Sequence, residues 1–462
     1  MRKHLPDYYE RTSIRLWPNG DFSPAGLFSE NTAKSLDIRN IVSNITIRES
    51  LLDSSIQIAL DVMDGNNILE DLKIEGDEYI TLEFQKKTPE GKRAYKLKCL
   101  ISDIINFNKP GPGVQTYQIL CVSEHAYINE LTMLDRKFEG NIGTLVKNIL
   151  KKDLAINPLY IGKINTKTSK NIKGVYPQLR PLNAIRWLMR NAFENSTPFF
   201  FYEGISPGFR NQVHFTSLDD LSKRDIVAEF ERKPFNIGPN VGAKPKEIEI
   251  HRRKQILKVA VPEVKNMLEH ISDGAFGSVM THFDIATKTI VSDNEYRYDG
   301  KFVLSNEIAG NKSKQFKPIG NHVKFKGKTL ADFPYARKFY SSQNSLSFAG
   351  TPYGNYHSPI PENLRKGIQK QYCMETSKLQ IDINGDPRLK VGDKIEVKIG
   401  KAMDSRELKG SKPIDESVSG VYMIYGMHHI LDANDSWQST LDLRKDSSNI
   451  DYDIKVTRVK GK

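Results

Sequence analysis

The sequence predicts a mainly β, α+β protein. Two similar antiparallel β units stand towards the two ends of the chain, with an α/β insert and a loop-rich peripheral region between them. Three observations predict this. The first is a Gly-Asp turn followed by strict apolar/polar alternation, the pattern of a half-buried strand. It occurs at Gly76-Asp77, ahead of Ile80, Leu82 and Phe84, and again at Gly392-Asp393, ahead of Ile395, Val397 and Ile399. The second is a pair of further strands after each copy: over Leu97 to Phe107 and Tyr117 to Ser123, then over Gly420 to Ile430 and Trp437 to Arg444. The third is a change of character between the copies, where helical spacing replaces alternation. Two related β units in one chain place two similar surfaces side by side, which is the logic of a ring or tube.

Taken in order, the first ~35 residues carry Pro6, Pro18, Gly20, Pro24 and Gly26 and read as an irregular arm. A strand with Ile41, Ile45 and Ile47 on one face comes next. Ser50 to Ser55 make a turn, and Ile56, Ile58, Leu60 and Val62 alternate cleanly. A short helix over Asn67 to Leu72 leads to the first Gly-Asp strand. Asn108 to Gly113, rich in Pro and Gly, is read as the turn between the second and third strands. This first unit spans 1–135. The insert, 136–235, has helical spacing over Asn141 to Lys152 and a second helix opened by Pro181, where a missing N–H is harmless. Pro198 to Glu203 and Gln212 to Thr216 form a hairpin. The peripheral region, 236–360, is polar, with strands expected at Glu247 to His251 and Ser278 to Phe283 and exposed connections at Ser292 to Gly300 and Asn311 to Gly320. A helix over Glu362 to Lys378 and a strand with Leu379, Ile381 and Ile383 open the second unit, 361–450, in which Tyr422 and Trp437 anchor the core. A polar tail, 451–462, ends the chain.

Composition bounds the function. The chain has 462 residues, 38% of them hydrophobic, and a mean hydropathy of −0.50. No segment approaches the ~18 consecutive apolar residues of a membrane span, and the N-terminus lacks the apolar core of a signal peptide. No stable membrane insertion is expected, and the chain reads as one made and folded in a cytoplasm. Three cysteines, Cys99, Cys121 and Cys373, with no CxxC pair, argue against a disulfide framework or a zinc knuckle. The net charge of +12 suits an acidic partner. The lysines are dispersed, with no basic stripe interleaved with stacking aromatics, so sequence-specific nucleic-acid recognition is not expected.

Several short motifs imitate catalytic ones. Gly204-Ile205-Ser206-Pro207-Gly208 matches GxSxG, but a strand comes where the mechanism needs a helix, and Pro207 removes an oxyanion-hole N–H. Gly327-Lys328-Thr329 lacks the upstream glycine of a P-loop. Asp61, Asp64 and Asn66 fail the calcium-loop pattern at Met63 and read as a strand end and a helix cap. His428 and His429 are strand neighbours that point to opposite faces. Asp219-Asp220 sits in a polar turn with no apolar pocket. No catalytic, metal or cofactor site is expected.

In chain order, Asn44 to Ser50, Ile56 to Asp64 and Leu72 to Phe84 resemble the first domain of the central baseplate hub proteins of contractile-tailed phages. The Pro181 helix, Pro198 to Glu203 and His214 to Leu221 resemble that family's middle part. Ser419 to Ile424, His428 and Trp437 to Arg444 resemble its closing strands. The family is related to the hub part of type VI secretion spike proteins. The resemblance implies two tail-tube-like antiparallel β-barrel domains per chain, a homotrimer, and a pseudo-six-fold ring that adapts a six-fold tail tube to a three-fold spike. Gly76, Asp77, Gly392, Asp393, Tyr422 and Trp437 become structural residues of those domains. Partners are itself, a separate trimeric spike protein, the first tail-tube ring, baseplate wedge proteins and a tape measure protein. Location is the tail baseplate of a virion, after assembly in the host cytoplasm. The lysines are expected outside the channel, because a basic lumen would hold DNA. A cell-wall hydrolase of the tail and a DNA-binding scaffold are the alternatives.

Overall fold

The computed structural model describes residues 8–17, 35–71, 74–76, 78–88, 91–167, 171–194, 197–206, 211–232, 252–261, 267–285, 288–297, 324–343, 365, 367, 371, 374, 377–400, 414–415 and 418–446. The N-terminal strands are β1 (Glu10–Trp17), β2 (Leu36–Asp37), β3 (Val42–Ser50), β4 (Gln57–Asp64), β5 (Tyr79–Thr88), β6 (Gly91–Gly111) and β7 (Val114–Val122). The insert holds β8 (Lys137–Asn141), β9 (Ile161–Ile164), β10 (Asn171–Val175), β11 (Phe199–Ile205) and β12 (Asn211–Ser217). Then come β13 (Ile226–Arg232), β14 (Ile256–Ala260), β15 (Gly277–Asp284), β16 (Thr289–Arg297), β17 (Lys324–Phe325), β18 (Lys328–Thr329) and β19 (Lys338–Gln343). The last strands are β20 (Ser377–Asn384), β21 (Lys394–Ile399), β22 (Gly420–Asp432) and β23 (Trp437–Lys445).

The protein is mainly β. One 13-stranded sheet runs from end to end in the order β14-β20-β23-β22-β3-β4-β7-β6-β5-β1-β2, with β21 and β13 branching from β22. The alternation that predicted β5 and β21 is the alternation of their buried faces: Ile80, Leu82 and Phe84 are buried, as are Ile395, Val397 and Ile399. Two large apolar clusters lie along this sheet. One gathers Ile45, Ile58, Leu82, Leu97 and Ile119; the other gathers Ile381, Val391, Ile395, Tyr422 and Leu441. A third fills the insert, where helices α3 (Ile142–Asn148) and α4 (Pro181–Met189) bury Leu145, Val146, Ile185 and Leu188 against Phe199 and Phe215. The α3 helix continues into a π-helical turn, Ile149–Asp153, much as the spacing predicted.

The structure differs from the sequence reading in several places. Residues 10–17 of the expected irregular arm form β1, which pairs antiparallel with β5 and buries Ile14 and Leu16. The strand β6 runs on to Gly111, so the turn shrinks to Pro112 and Gly113. Ser292 to Arg297 belong to β16 and are not an exposed connection. The peripheral region contributes β14 to the main sheet. Among the described residues the expected barrels do not close: in the second unit a single bridge, Glu231 with Gln255, brings β13 to the foot of β14 without a continuous ladder. The strand expected at Glu247 to His251, the connection at Asn311 to Gly320, most of the helix over Glu362 to Lys378, Cys373 and the tail lie outside the described residues. Cys99 and Cys121 are buried free thiols. Among the described residues no helix is long and apolar enough to cross a membrane.

Candidate assembly surface

The duplication is close enough to be read residue by residue. In the first copy, Leu100 of β6 pairs with Tyr79 of β5 on one side and with Val122 of β7 on the other. In the second, Met423 of β22 pairs with Lys394 of β21 and with Arg444 of β23. Each long strand therefore changes partner at one pivot. A residue is looped out just beyond it, Ser102 in β6 and Tyr425 in β22; such bulges bend a strand and sharpen its twist. The neighbouring ladders keep the same register. Ile58 faces Cys121 in one copy, and Leu379 faces Leu443 in the other. The match extends to a fifth strand. Val42 and Asn44 of β3 face Val62 and Asp61, and Ile256 and Lys258 of β14 face Ile383 and Asp382, with a bulge at Ser43 and at Leu257. So β3-β4-β7-β6-β5 and β14-β20-β23-β22-β21 are one unit twice.

The turns that start the duplicated strands explain their sequence. Gly392 adopts φ +83°, a left-handed conformation that glycine takes without penalty, and its N–H donates to the carbonyl of Ile424 at 2.8 Å. The Asp393 carboxylate accepts from Lys390 N at 3.0 Å and from Arg224 at 3.1 Å. Burial pushes this carboxyl above its ordinary value against the pull of Arg224. In the first copy Gly76 has φ +104°, and Asp77 lies outside the described residues. The matching carboxylate is that of Glu78, which accepts from Glu75 N at 2.8 Å and Gly76 N at 2.9 Å. Ile101 N donates to Glu78 O as Ile424 N donates to Asp393 O. Sequence reasoning aligned Gly-Asp with Gly-Asp and missed Glu78, because the structural match is offset by one residue there. Tyr422 lies in the second unit's cluster, with its hydroxyl donating to Val418 O. Trp437 lies in the first unit's cluster, edge-on to Phe84 and Tyr95.

The two copies meet where β22 pairs with β3, from Gly426 opposite Ser50 to Asp432 opposite Asn44. A buried polar knot lies behind this seam. The Glu49 carboxylate is 3.1 Å from His429 Nε2 and accepts from Ile205 N of the insert at 2.8 Å. His429 Nδ1 is 2.7 Å from Ser439 Oγ. Glu203 of the insert reciprocates by accepting from Ile56 N at 2.8 Å. Arg11 of β1 donates to Val42 O and Leu431 O, one from each copy. Buried groups satisfied in this way fix one relative arrangement of three elements.

The seam uses one edge of each unit and leaves two over. Transposing Ile430 opposite Thr46 by the repeat gives Asn108 of β6 opposite Ala260 of β14. These two residues are not partners within the chain. Beyond Ser102 the outer edge of β6, and beyond Gln255 the outer edge of β14, carry no ladder among the described residues. Phe107 is 51% exposed and Val261 48%.

The imitated motifs have structural roles. Ile205 ends β11 and Asn211 begins the antiparallel β12, so GxSxG spans a hairpin, and Ser206 Oγ donates to Gln212. Lys326 and Gly327 form the two-residue turn between β17 and β18. Asp64 accepts from Asn66 N and Ile68 N, capping α1 (Ile68–Asp71). Asp219 and Asp220 open a short helix, Leu218–Ser222, where Asp219 pairs with Lys223. Among the described residues no group of three or more His, Cys, Asp or Glu side chains is placed to hold a metal.

No protein-family model matches the sequence, and no curated protein matches it. Solved structures do. The tail protein from Neisseria meningitidis MC58 superposes with a TM-score of 0.50 at 11% identity, over 95% of this chain and 97% of that one. A 43 kDa tail protein of prophage MuSo2 from Shewanella oneidensis gives a TM-score of 0.48 at 10% identity, over 95% and 100%. A type VI secretion system component of E. coli gives 0.41 at 9% identity, over 88% and 73%. The chain thus shares its fold with the Neisseria tail protein over 95% of its length.

Proposed function

We propose that the chain is the structural hub of a contractile phage tail baseplate and not an enzyme. Three copies close into a ring of six related β units, each unit a tube-like domain. The ring offers six-fold geometry to the first tail-tube ring and three-fold geometry to a separate trimeric spike, with wedge proteins at its periphery and a tape measure protein as a further partner. The single observation that carries this is the five-strand repeat with one seam used and one complementary pair of edges left over. A unit that pairs β22 with β3 inside the chain is built to pair β6 with β14 of the next copy. Such closure removes edges that would otherwise invite aggregation. The fold shared with the Neisseria tail protein is consistent with it.

The transposed register supplies the test. Opposed residues in an antiparallel ladder stand ~4.5–5.5 Å apart at Cα, within the span of a disulfide. The double variant Asn108→Cys, Ala260→Cys should form intermolecular disulfides on mild oxidation and migrate as a covalent trimer without reductant. Either single variant should not. Monomeric migration of the double variant, with the chain trimeric by light scattering, would place the interface elsewhere. A chain that stays monomeric with spike present would end the hub reading.

A further inference from the structure

A cavity of about 130 Å³ lies between the first β unit and the insert, away from the free edges of β6 and β14, and its chemistry is independent of the proposed ring. It is large enough to hold several waters. Its polar wall is Ser123, His125, Glu203 and Asn211, each at least nine-tenths buried; its apolar wall includes Ile128, Leu154, Ile156 and Val213.

The hydrogen-bond inventory of the polar wall is one-sided. His125 Nε2 is 2.9 Å from the carbonyl oxygen of Ser54, which can only accept, so Nε2 carries the proton. In the neutral ring Nδ1 is then a bare acceptor. It stands 4.0 Å from Glu203 Oε1, another acceptor. Glu203 Oε2 already takes Ile56 N–H at 2.8 Å and Ser123 O–H at 2.5 Å. Asn211 donates both to Glu203 Oε1 at 2.5 Å and to Ser123 Oγ at 3.2 Å, which leaves its Oδ1 buried with no partner. His125 Nδ1 is therefore left without a donor and faces Glu203 Oε1, which has one donor, Asn211, and a second lone pair to spare. The charges point the same way. Lys98 is paired with Glu124 at 2.9 Å, and the ion pairs among the described residues give Glu203 no lysine or arginine partner, only the His125 ring.

We propose that this cavity binds a primary ammonium group on a short apolar stem. An –NH₃⁺ group has three donors and no acceptor, which suits the two acceptors that face each other across 4.0 Å, Nδ1 of His125 and Oε1 of Glu203. The stem would lie on Leu154, Ile156 and Val213. The chemistry is shared by a free alkylamine and by a lysine side chain of a neighbouring protein. A ligand N–H here does what a second proton on His125 would do, placing a donor between Nδ1 and the Glu203 carboxylate.

The test is calorimetric titration of the full-length protein with 1,4-diaminobutane and with the peptide acetyl-Gly-Lys-Gly-amide, against 1-butanol and tetramethylammonium. The expected result is saturable binding of at least one primary amine and none of either control. Glu203→Gln should weaken it at least tenfold. Because Glu203 also holds Ile56 and Ser123, a second variant guards against misfolding: Ile156→Phe fills the cavity from its apolar side and should abolish binding with an unchanged melting temperature. Binding of both amines assigns the site to the ammonium alone; binding of the peptide only assigns it to a lysine of a partner. Equal binding of tetramethylammonium, binding of Zn²⁺ or Mn²⁺ but no amine, or no binding at all would overturn the proposal.

Discussion

At the scale of single residues, the fold depends on a few atoms whose surroundings admit no substitute. Gly392 is one. A Cβ there would stand 2.9 Å from Leu221 Cδ2 and 3.1 Å from Arg224 Nη1, on top of the cost of its positive φ. Gly76 shares the conformation but has nothing within 4 Å. Gly76→Ala should therefore destabilise by about 1–2 kcal/mol, the left-handed cost alone, and Gly392→Ala by clearly more; urea unfolding of both variants separates the two terms. His214 is another. Burial, then the nearby charges of Arg224 and Lys390, push its imidazole down to about 4. Its Nδ1 accepts from Lys163 N at 3.0 Å, a bond that protonation would break. Because the folded value lies below the unfolded one of ~6.5, the unfolded chain binds more protons between them. The contribution to stability is whole above pH 6.5 and is lost as pH falls towards 4. Melting temperatures across pH 4–7 should show this acid-side fall, and a His214→Gln variant should show less of it.

At the scale of elements, what was legible in the sequence and what was not have distinct physical causes. The strands β5 and β21 announced themselves because one face is buried and the other wet. The strand β1 has the same alternation, Ile14 and Leu16 inward with Ser13 and Arg15 outward, but prolines and glycines on its flank argued for an arm. Its partner β5, far along the chain, decides the matter. The strand β14 could not be read, because its bulge breaks the period: Ile256 is buried while Leu257 and Lys258 are both exposed. A register of five strands repeated at low similarity is visible only once pairing is known, and so is the offset that puts Glu78 in the place of Asp393. The bulges themselves are testable. Deleting Tyr425 would keep Gly426 to Asp432 in register with β23 but remove the bulge that bends β22 between its pairing with β21 and its pairing with β3. The expected outcome is loss of cooperative unfolding by circular dichroism. Deleting Ser102 should leave the folded chain largely intact but prevent its association, since the strand beyond it has one partner in the chain and not two.

At the scale of the whole molecule, the proposal makes the net charge of +12 a statement about surfaces. If the lysines face acidic neighbours, the assembled ring should bind double-stranded DNA weakly, and about 200 mM salt should abolish that binding. Tight binding of DNA at that salt would favour the scaffold reading, and release of sugar or peptide from purified cell wall would favour a hydrolase. Light scattering should give a mass of three 52.6 kDa chains. Cavities, insert and peripheral strands then decorate a frame whose duplicated part is nearly identical in register.

That frame is not identical on its flanks. The strand beside β5 is β1, running antiparallel to it, whereas the strand beside β21 is β13, running parallel. A visitor that grips along those flanks therefore meets two kinds of site in alternation. Its saturating stoichiometry on a closed ring should be three, even where a visitor stacked on the end counts six.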